Sequence, residues 1–198
     1  YTPRRVSNHA VENAIQGYSP ITDAEGLVFQ MNGHMFYRLT FPSANSNRGV
    51  TWQYDASTNQ WTEASYWNPT LGLEERHRGR VCTAAFSRIL MGDHTNGRIY
   101  EMSMANLDDA GVGASEIIRR VRRAPHIVEG RKQIAYHMVR FDGNSGIGLS
   151  VAPAVAGYNP EMLLRWSDDG GRNYSTNRSI RFGRIGQFHI LPQSFNLG

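Results

Sequence analysis

Along most of the chain, apolar residues recur at every second position rather than every third or fourth. "RVSNHAVENAIQGY" departs from that rule: Val11 and Ile15 stand four apart, Ser7 precedes them as candidate N-cap, and Gly17 supplies a stop. One short helix is predicted there. "GLVFQMNGHMFYRLTF" predicts two strands, about 27–31 and 34–41, joined at Asn32-Gly33, a dipeptide that accepts the positive φ of a tight hairpin. "VTWQYDASTNQWTEASYW" repeats the theme, with strands near 50–55 and 60–66 around an Asp/Ser/Asn turn at 55–59. "RGRVCTAAFSRILMGDHTNGRIYEMSM" predicts strands near 79–86, 88–91 and 97–104, turning at 92–94 and at Asn96-Gly97. Pro125 opposes a helix in "EIIRRVRRAPHI", so a strand near 117–123 is expected. Further strands are expected around 132–141 and 161–167. Between them, "GNSGIGLSVAPAVAGYNP" is a loop long enough to be mobile or to rest on a partner.

Short antiparallel strands with little intervening helix define an all-β class. The module "GHMFYRLTF…TWQYD" with its Asp/Asn turn and aromatic strand is echoed by "RILMGD.TNGRIYEM". Such repetition suggests β-propeller-like antiparallel blades behind a short N-terminal helix, although a sandwich also fits. Residues 1–198 would then be a single propeller-like domain, or the C-terminal fragment of a larger propeller protein. The opening at Tyr1, without an initiator Met or a signal-peptide apolar run, favours a fragment or processed piece.

Composition sharpens this picture in three ways. Twenty glycines among 198 residues fit many turns. The lone Cys82 leaves no internal disulfide, and its place in "RVCTAAF" marks it as a small buried hydrophobe. The net charge of +4 rests on 20 arginines and one lysine, Lys132. Arginine without lysine fits protein contacts at least as well as nucleic acid. No apolar run reaches the ~18 residues needed to span a membrane.

Candidate chemistry centres on "RWSDDGGRNY". Two neighbouring carboxylates, Asp168 and Asp169, are open to three readings: catalytic acids, a Ca²⁺ site, or parts of a turn. Ser167, Asp169, Gly171 and Tyr174 occupy the spacing of the Asp-box, a hairpin turn found in propeller blades of sialidases and many other proteins, where Trp usually stands in place of Tyr174. A carboxylate there would cap backbone amides, and glycine would take a conformation closed to other residues. The turn is the favoured reading, with no catalytic and no metal role and no cofactor. Glu74-Glu75 is the next acidic cluster, read as a solvated loop among compensating charges in "LGLEERHRGR", although a glycosidase-type carboxylate pair leaves no mark in sequence. Seven histidines are scattered without ligand spacing. Arg119, Arg120, Arg122 and Arg123 flank Val121; as a strand they would stand on both faces, either as a salt-bridged edge or as an interface with a subunit or packaged nucleic acid. Trp52, Tyr54, Trp61, Tyr66 and Trp67 fit hairpin packing, with a sugar-binding platform as the alternative.

Taken in order, "PRRVSNHAVENAI", "HMFYRLTFPSA", "TWQYDASTNQW", "RHRGR", "GDHTNGRIYEM", "IRRVRRAPHI" and "LLRWSDDGGRNYS" resemble the packaged-DNA stabilisation proteins, or tail accessory (tail hub) proteins, of short-tailed bacteriophages. The likeness runs from Arg4 to about Gly186 and corresponds to the later part of such proteins. It implies a structural virion protein of the phage tail, made in the host cytoplasm. It also implies a homo-oligomeric ring, hexameric by resemblance, below the portal and adaptor proteins. Tail needle and tailspikes would be its partners, with packaged DNA close by and no membrane. That family carries no catalytic residues. The alternative expectation is a carbohydrate-binding or glycosidase-like Asp-box propeller. The closing "GQFHILPQSFNLG" lacks the strands such an ending needs, so a last edge closed by another chain or a missing segment is expected.

Overall fold

The computed structural model describes residues 2–106, 108–109, 118–127, 129–130, 134–153 and 157–197. They form two compact units, residues 1–121 and 122–198, built mostly from antiparallel strands. No helix among the described residues is long and apolar enough to cross a membrane.

In the first unit, helix α1 (His9–Gln16) begins one residue later than the sequence suggests. Asn8, in extended conformation, is the N-cap, and its side chain accepts from the Val11 amide at 2.9 Å. Ser7 instead donates to Glu12. Val11 is buried, and Ile15 packs with Tyr18 against the core residues Phe41, Ala44 and Val50.

Strands β1 (Glu25–Met31), β2 (His34–Phe41), β3 (Val50–Asp55) and β4 (Gln60–Glu63) form a meander in sequence order. Asn32 and Gly33, with φ of 51° and 82°, make the expected hairpin turn and pair Met31 with His34. Between β2 and β3, Asn45, Ser46 and Asn47 are all left-handed, with φ of 50°, 58° and 65°. This corner tucks Ala44 into the core. Serine holds that conformation at a steric cost that asparagine and glycine largely avoid. Ser46→Gly is therefore expected to raise the unfolding free energy by about 0.5–1 kcal/mol, read from urea midpoints.

The next hairpin, β5 (Ser65–Asn68) and β6 (Leu73–Arg76), was not legible as such. Glu74 and Glu75 lie in β6 opposite Trp67 and Tyr66, not in a solvated loop. Asn68 closes the turn by accepting from the amides of Thr70 and Leu71. Strands β7 (Gly79–Ala85), β8 (Arg88–Asp93) and β9 (Ile99–Met102) form a second meander, with Phe86 and Ser87 left-handed in the first turn. Cys82, placed in β7, is half-buried rather than buried. Burial still pushes its thiol above the usual range.

The expected strand at 117–123 is absent from its described part: residues 118–127 make no strand pairing. Ile117 lies outside the described residues. Pro125 offers no backbone donor, and with arginine at alternate positions on both sides of Val121 the run has no apolar face to bury against a sheet.

The second unit holds two antiparallel strand pairs among its described residues. Strand β10 (Tyr136–Arg140) pairs with β13 (Gln193–Leu197), and β11 (Glu161–Leu164) with β12 (Arg178–Arg181). The C-terminal stretch thus supplies a strand of its own and covers one edge of β10, against the expectation of an ending without strands. Left-handed Asn196 hides it by breaking the alternation, while Ser194 and Leu197 are buried. The described part of the long loop is tied down: Gly146 N donates to Phe182 O, Leu149 N to Gly157 O, and Ser145 Oγ to Phe188 O. Residues 154–156 of that loop lie outside the described residues.

Candidate functional site

The acidic turn sits in the connection between β11 and β12, residues 165–177. Its base is closed by Ser175 N donating to Trp166 O at 2.8 Å and Trp166 N donating to Ser175 Oγ at 3.1 Å. Within it, Asp169 Oδ1 accepts from the amides of Arg172 (2.9 Å) and Asn173 (2.8 Å) and from Ser167 Oγ (2.8 Å). Asp169 Oδ2 takes Asn173 Nδ2 at 2.6 Å, and Ser167 Oγ accepts from Gly171 N at 2.8 Å. Gly170 and Gly171 are left-handed, with φ of 78° and 87°. Ser167, Asp169 and Gly171 are brought together as the spacing requires, and Tyr174 closes over Gly171.

These bonds, the Asn173 amide first and then Ser167, pull the Asp169 carboxyl down to about 2. A carboxylate bonded this way is a poor general acid at neutral pH, and its oxygens are directed at the backbone. Because the folded pKa is depressed, its stabilisation is present above its ordinary value near 3.8 and is lost as pH falls toward 2. Asp169→Ala is expected to abolish hydrogen-exchange protection at Arg172 and Asn173, with Asp169→Asn retaining part of it. Unchanged protection in the alanine variant would show that the carboxylate does not hold the turn.

Two other hairpin turns use the same device. Asp55 accepts from Ser57 N and Thr58 Oγ1, each at 2.9 Å, and holds His34 Nδ1 at 2.8 Å. Burial opposes its charge, yet these partners bring its carboxyl to about 2. Asp93 accepts from Thr95 N and Oγ1 and from Asn96 Nδ2. The Asp55–His34 pair was not visible in sequence, since 21 residues separate its members. The strand pairing of Phe36 with Asp55 brings them together.

Arginine is the second theme, and the structure explains why lysine is nearly absent. Guanidinium groups lie over rings: Arg78 over Tyr66 (3.7 Å to the ring centre), Arg119 over Trp67 (4.4 Å), Arg165 and Arg123 over Tyr174 (4.7 and 5.6 Å), Arg178 over Trp166 (5.1 Å). Flat, weakly hydrated guanidinium stacks where an ammonium would keep its water. Of the four clustered arginines, Arg119 also meets Glu74 at 3.5 Å, while Arg120 and Arg122 are exposed and carry no partner among the described residues. The aromatics divide: Tyr54 packs on Trp61 at 5.1 Å and Trp52 bonds Tyr18, whereas Tyr66 and Trp67 serve as seats for arginine.

Arg38, 1% exposed, is the deepest charge. Its Nε and Nη2 donate to Gln53 Oε1, and Nη1 donates to His77 Nδ1 at 2.9 Å. No carboxylate faces it among the described residues. Because Arg can only donate, His77 Nδ1 must accept, and it also accepts from Gly79 N at 2.9 Å. His77 is therefore neutral with its proton on Nε2. Burial first, then the Arg38 charge, holds its pKa down at about 3. A groove between β1 and β7–β8 is lined by Phe29, Asn32, Cys82, Thr83 and Ile89, among others. None of its lining residues among those described is a carboxylate or an imidazole. No group of three or more potential metal ligands occurs among the described residues.

Compared with known protein families, with curated proteins and with solved structures, the chain matches none.

Proposed function

We propose that this chain is a non-enzymatic structural subunit of a short-tailed phage virion, a β-propeller-like element of the tail hub. In this reading it assembles as a ring beneath the portal and adaptor, helps retain packaged DNA, and presents surfaces to the tail needle and tailspikes. The observation that carries the proposal is the ordered series of segments from "PRRVSNHAVENAI" to "LLRWSDDGGRNYS". Two features of the fold support it. The meanders β1–β4 and β7–β9 follow sequence order, and their first strands, β1 and β7, lie side by side, an arrangement suited to successive blades. The carboxylate best placed to suggest hydrolysis, Asp169, is occupied by backbone amides.

A rigid set of small sheets works by contact: many modest interfaces, multiplied around a ring, give strong retention without bond-making. The test is to locate the chain in purified virions by electron microscopy and mass spectrometry. Its presence in the tail at ring stoichiometry is the expected result. Absence from the particle, or turnover of a fluorogenic glycoside panel by the purified protein, would overturn the proposal.

A further inference from the structure

The two units differ sharply in charge. Residues 122–198 hold nine Arg and Lys132 against five Asp and Glu, a net of +5, whereas residues 1–121 hold eleven Arg against twelve Asp and Glu, a net of −1. All of the chain's positive excess therefore belongs to the second unit. Some of its arginines are neutralised locally, Arg181 by Glu161 and Arg140 by Asp142. Those around the acidic turn are not.

Arg165 and Arg123 are exposed, make no hydrogen bond or ion pair among the described residues, and share one ring, Tyr174. Their guanidinium carbons lie within about 10 Å of each other by those two ring distances. The neighbouring Trp166 seats Arg178, which also bonds Ser194 Oγ and the Phe195 carbonyl. Exposed Arg172 follows on the same loop. Of the loop's two carboxylates, Asp169 is bonded to backbone amides and Asp168 alone is exposed without a partner.

We propose that this layer of arginines and aromatic rings, Arg123, Arg165, Arg172 and Arg178 around Tyr174 and Trp166, binds the phosphodiester chain of a nucleic acid. Stacking on Tyr174 orients the guanidinium planes of Arg123 and Arg165 and leaves their N–H edges open, so little side-chain entropy is lost when these forks meet phosphate oxygens. A phosphodiester chain offers closely spaced charges that need no matching side-chain geometry, and the flat guanidinium groups seated on the rings can themselves stack on bases. An acidic protein would have to align several flexible carboxylates with forks that are already set, at an entropy cost for each. The inference stands on the charge and side-chain layout of this unit and does not need the tail assignment; either can fail alone.

Fluorescence anisotropy of the full chain with labelled DNA of about 20 nucleotides, duplex and single-stranded, tests it between about 50 and 200 mM salt. Binding is expected to weaken linearly in log–log form with salt. Arg123→Ser/Arg165→Ser should lower affinity about tenfold or more and reduce the slope by roughly two. Asp168→Asn should strengthen binding, and Arg4→Ser/Arg5→Ser in the first unit should leave it unchanged. Arg123 and Arg165 are exposed and make no hydrogen bond among the described residues, and circular dichroism checks that each variant is folded. No binding at the lowest salt, equal binding by the double variant, or equal competition by polyglutamate of matched charge would each overturn the proposal.

Discussion

Replacing Arg38 with alanine should lower the unfolding free energy by about 3–5 kcal/mol. The side chain fills the space beneath β2, lies over Phe29 at 5.0 Å, and provides the donors that satisfy Gln53 Oε1 and His77 Nδ1. Alanine leaves a cavity, takes both donors from Gln53 Oε1 and one of two from His77 Nδ1, which keeps the Gly79 amide, and each loss is costly in a buried site. Arg38→Met fills most of the volume and removes a charge whose desolvation already brings its pKa down to about 10, so it should cost less than half as much. Urea unfolding measures both. An alanine variant within about 1 kcal/mol of the parent would show that the guanidinium is dispensable.

The same pair sets a pH signature. His77 has a depressed pKa, so the folded chain binds fewer protons at this site than the unfolded chain. Stability therefore falls as pH drops below the ordinary histidine value of 6.5 toward about 3. The residue is partly exposed, so its share of the loss between neutral pH and about 4.5 should be on the order of 1–2 kcal/mol. Removing the Arg38 charge lets the imidazole titrate closer to its usual range, so Arg38→Met should show a shallower decline over that interval. A steeper decline would mean that Arg38 does not depress the histidine.

Gly148→Ala is expected to cost about 2–4 kcal/mol and to loosen the second unit. A methyl group there would stand 2.3 Å from the Tyr158 carbonyl oxygen, 2.8 Å from Arg184 Cα and 3.0 Å from Ile185 N. All three neighbours are backbone, so no rotamer change can make room. Gly33→Ala offers a contrast, since nothing lies within 4 Å of its added carbon and only the turn's φ of 82° resists it. Hydrogen exchange at Leu149, which donates to Gly157, would report the loosening directly. Unaltered protection and an unaltered urea midpoint would sink the steric argument.

Local chemistry was legible wherever neighbours in sequence also act as neighbours in space. Asn32-Gly33 marked its hairpin because only two residues must be left-handed. Ser167, Asp169 and Gly171 marked their turn because a carboxylate reaches amides three and four residues ahead. The helix was placed but its cap was off by one, since Ser7 and Asn8 have equal claims until backbone angles choose Asn8. Strands β5, β6, β12 and β13 were missed because each is four or five residues long and owes its extension to a partner. The Arg119–Arg123 run was expected as a strand because Pro125 opposes a helix there, yet no strand pairs with it among the described residues.

By itself, then, the order of residues determined the antiparallel β character and the hairpin turns, because each depends on contacts within a few positions. Only the tertiary structure decided which rings carry which arginines, that Arg38 and His77 share one proton-poor pocket, and that β13 returns to pair with β10. Those choices join residues tens of positions apart, and no local energy records them: they exist only once the backbone has closed the distance.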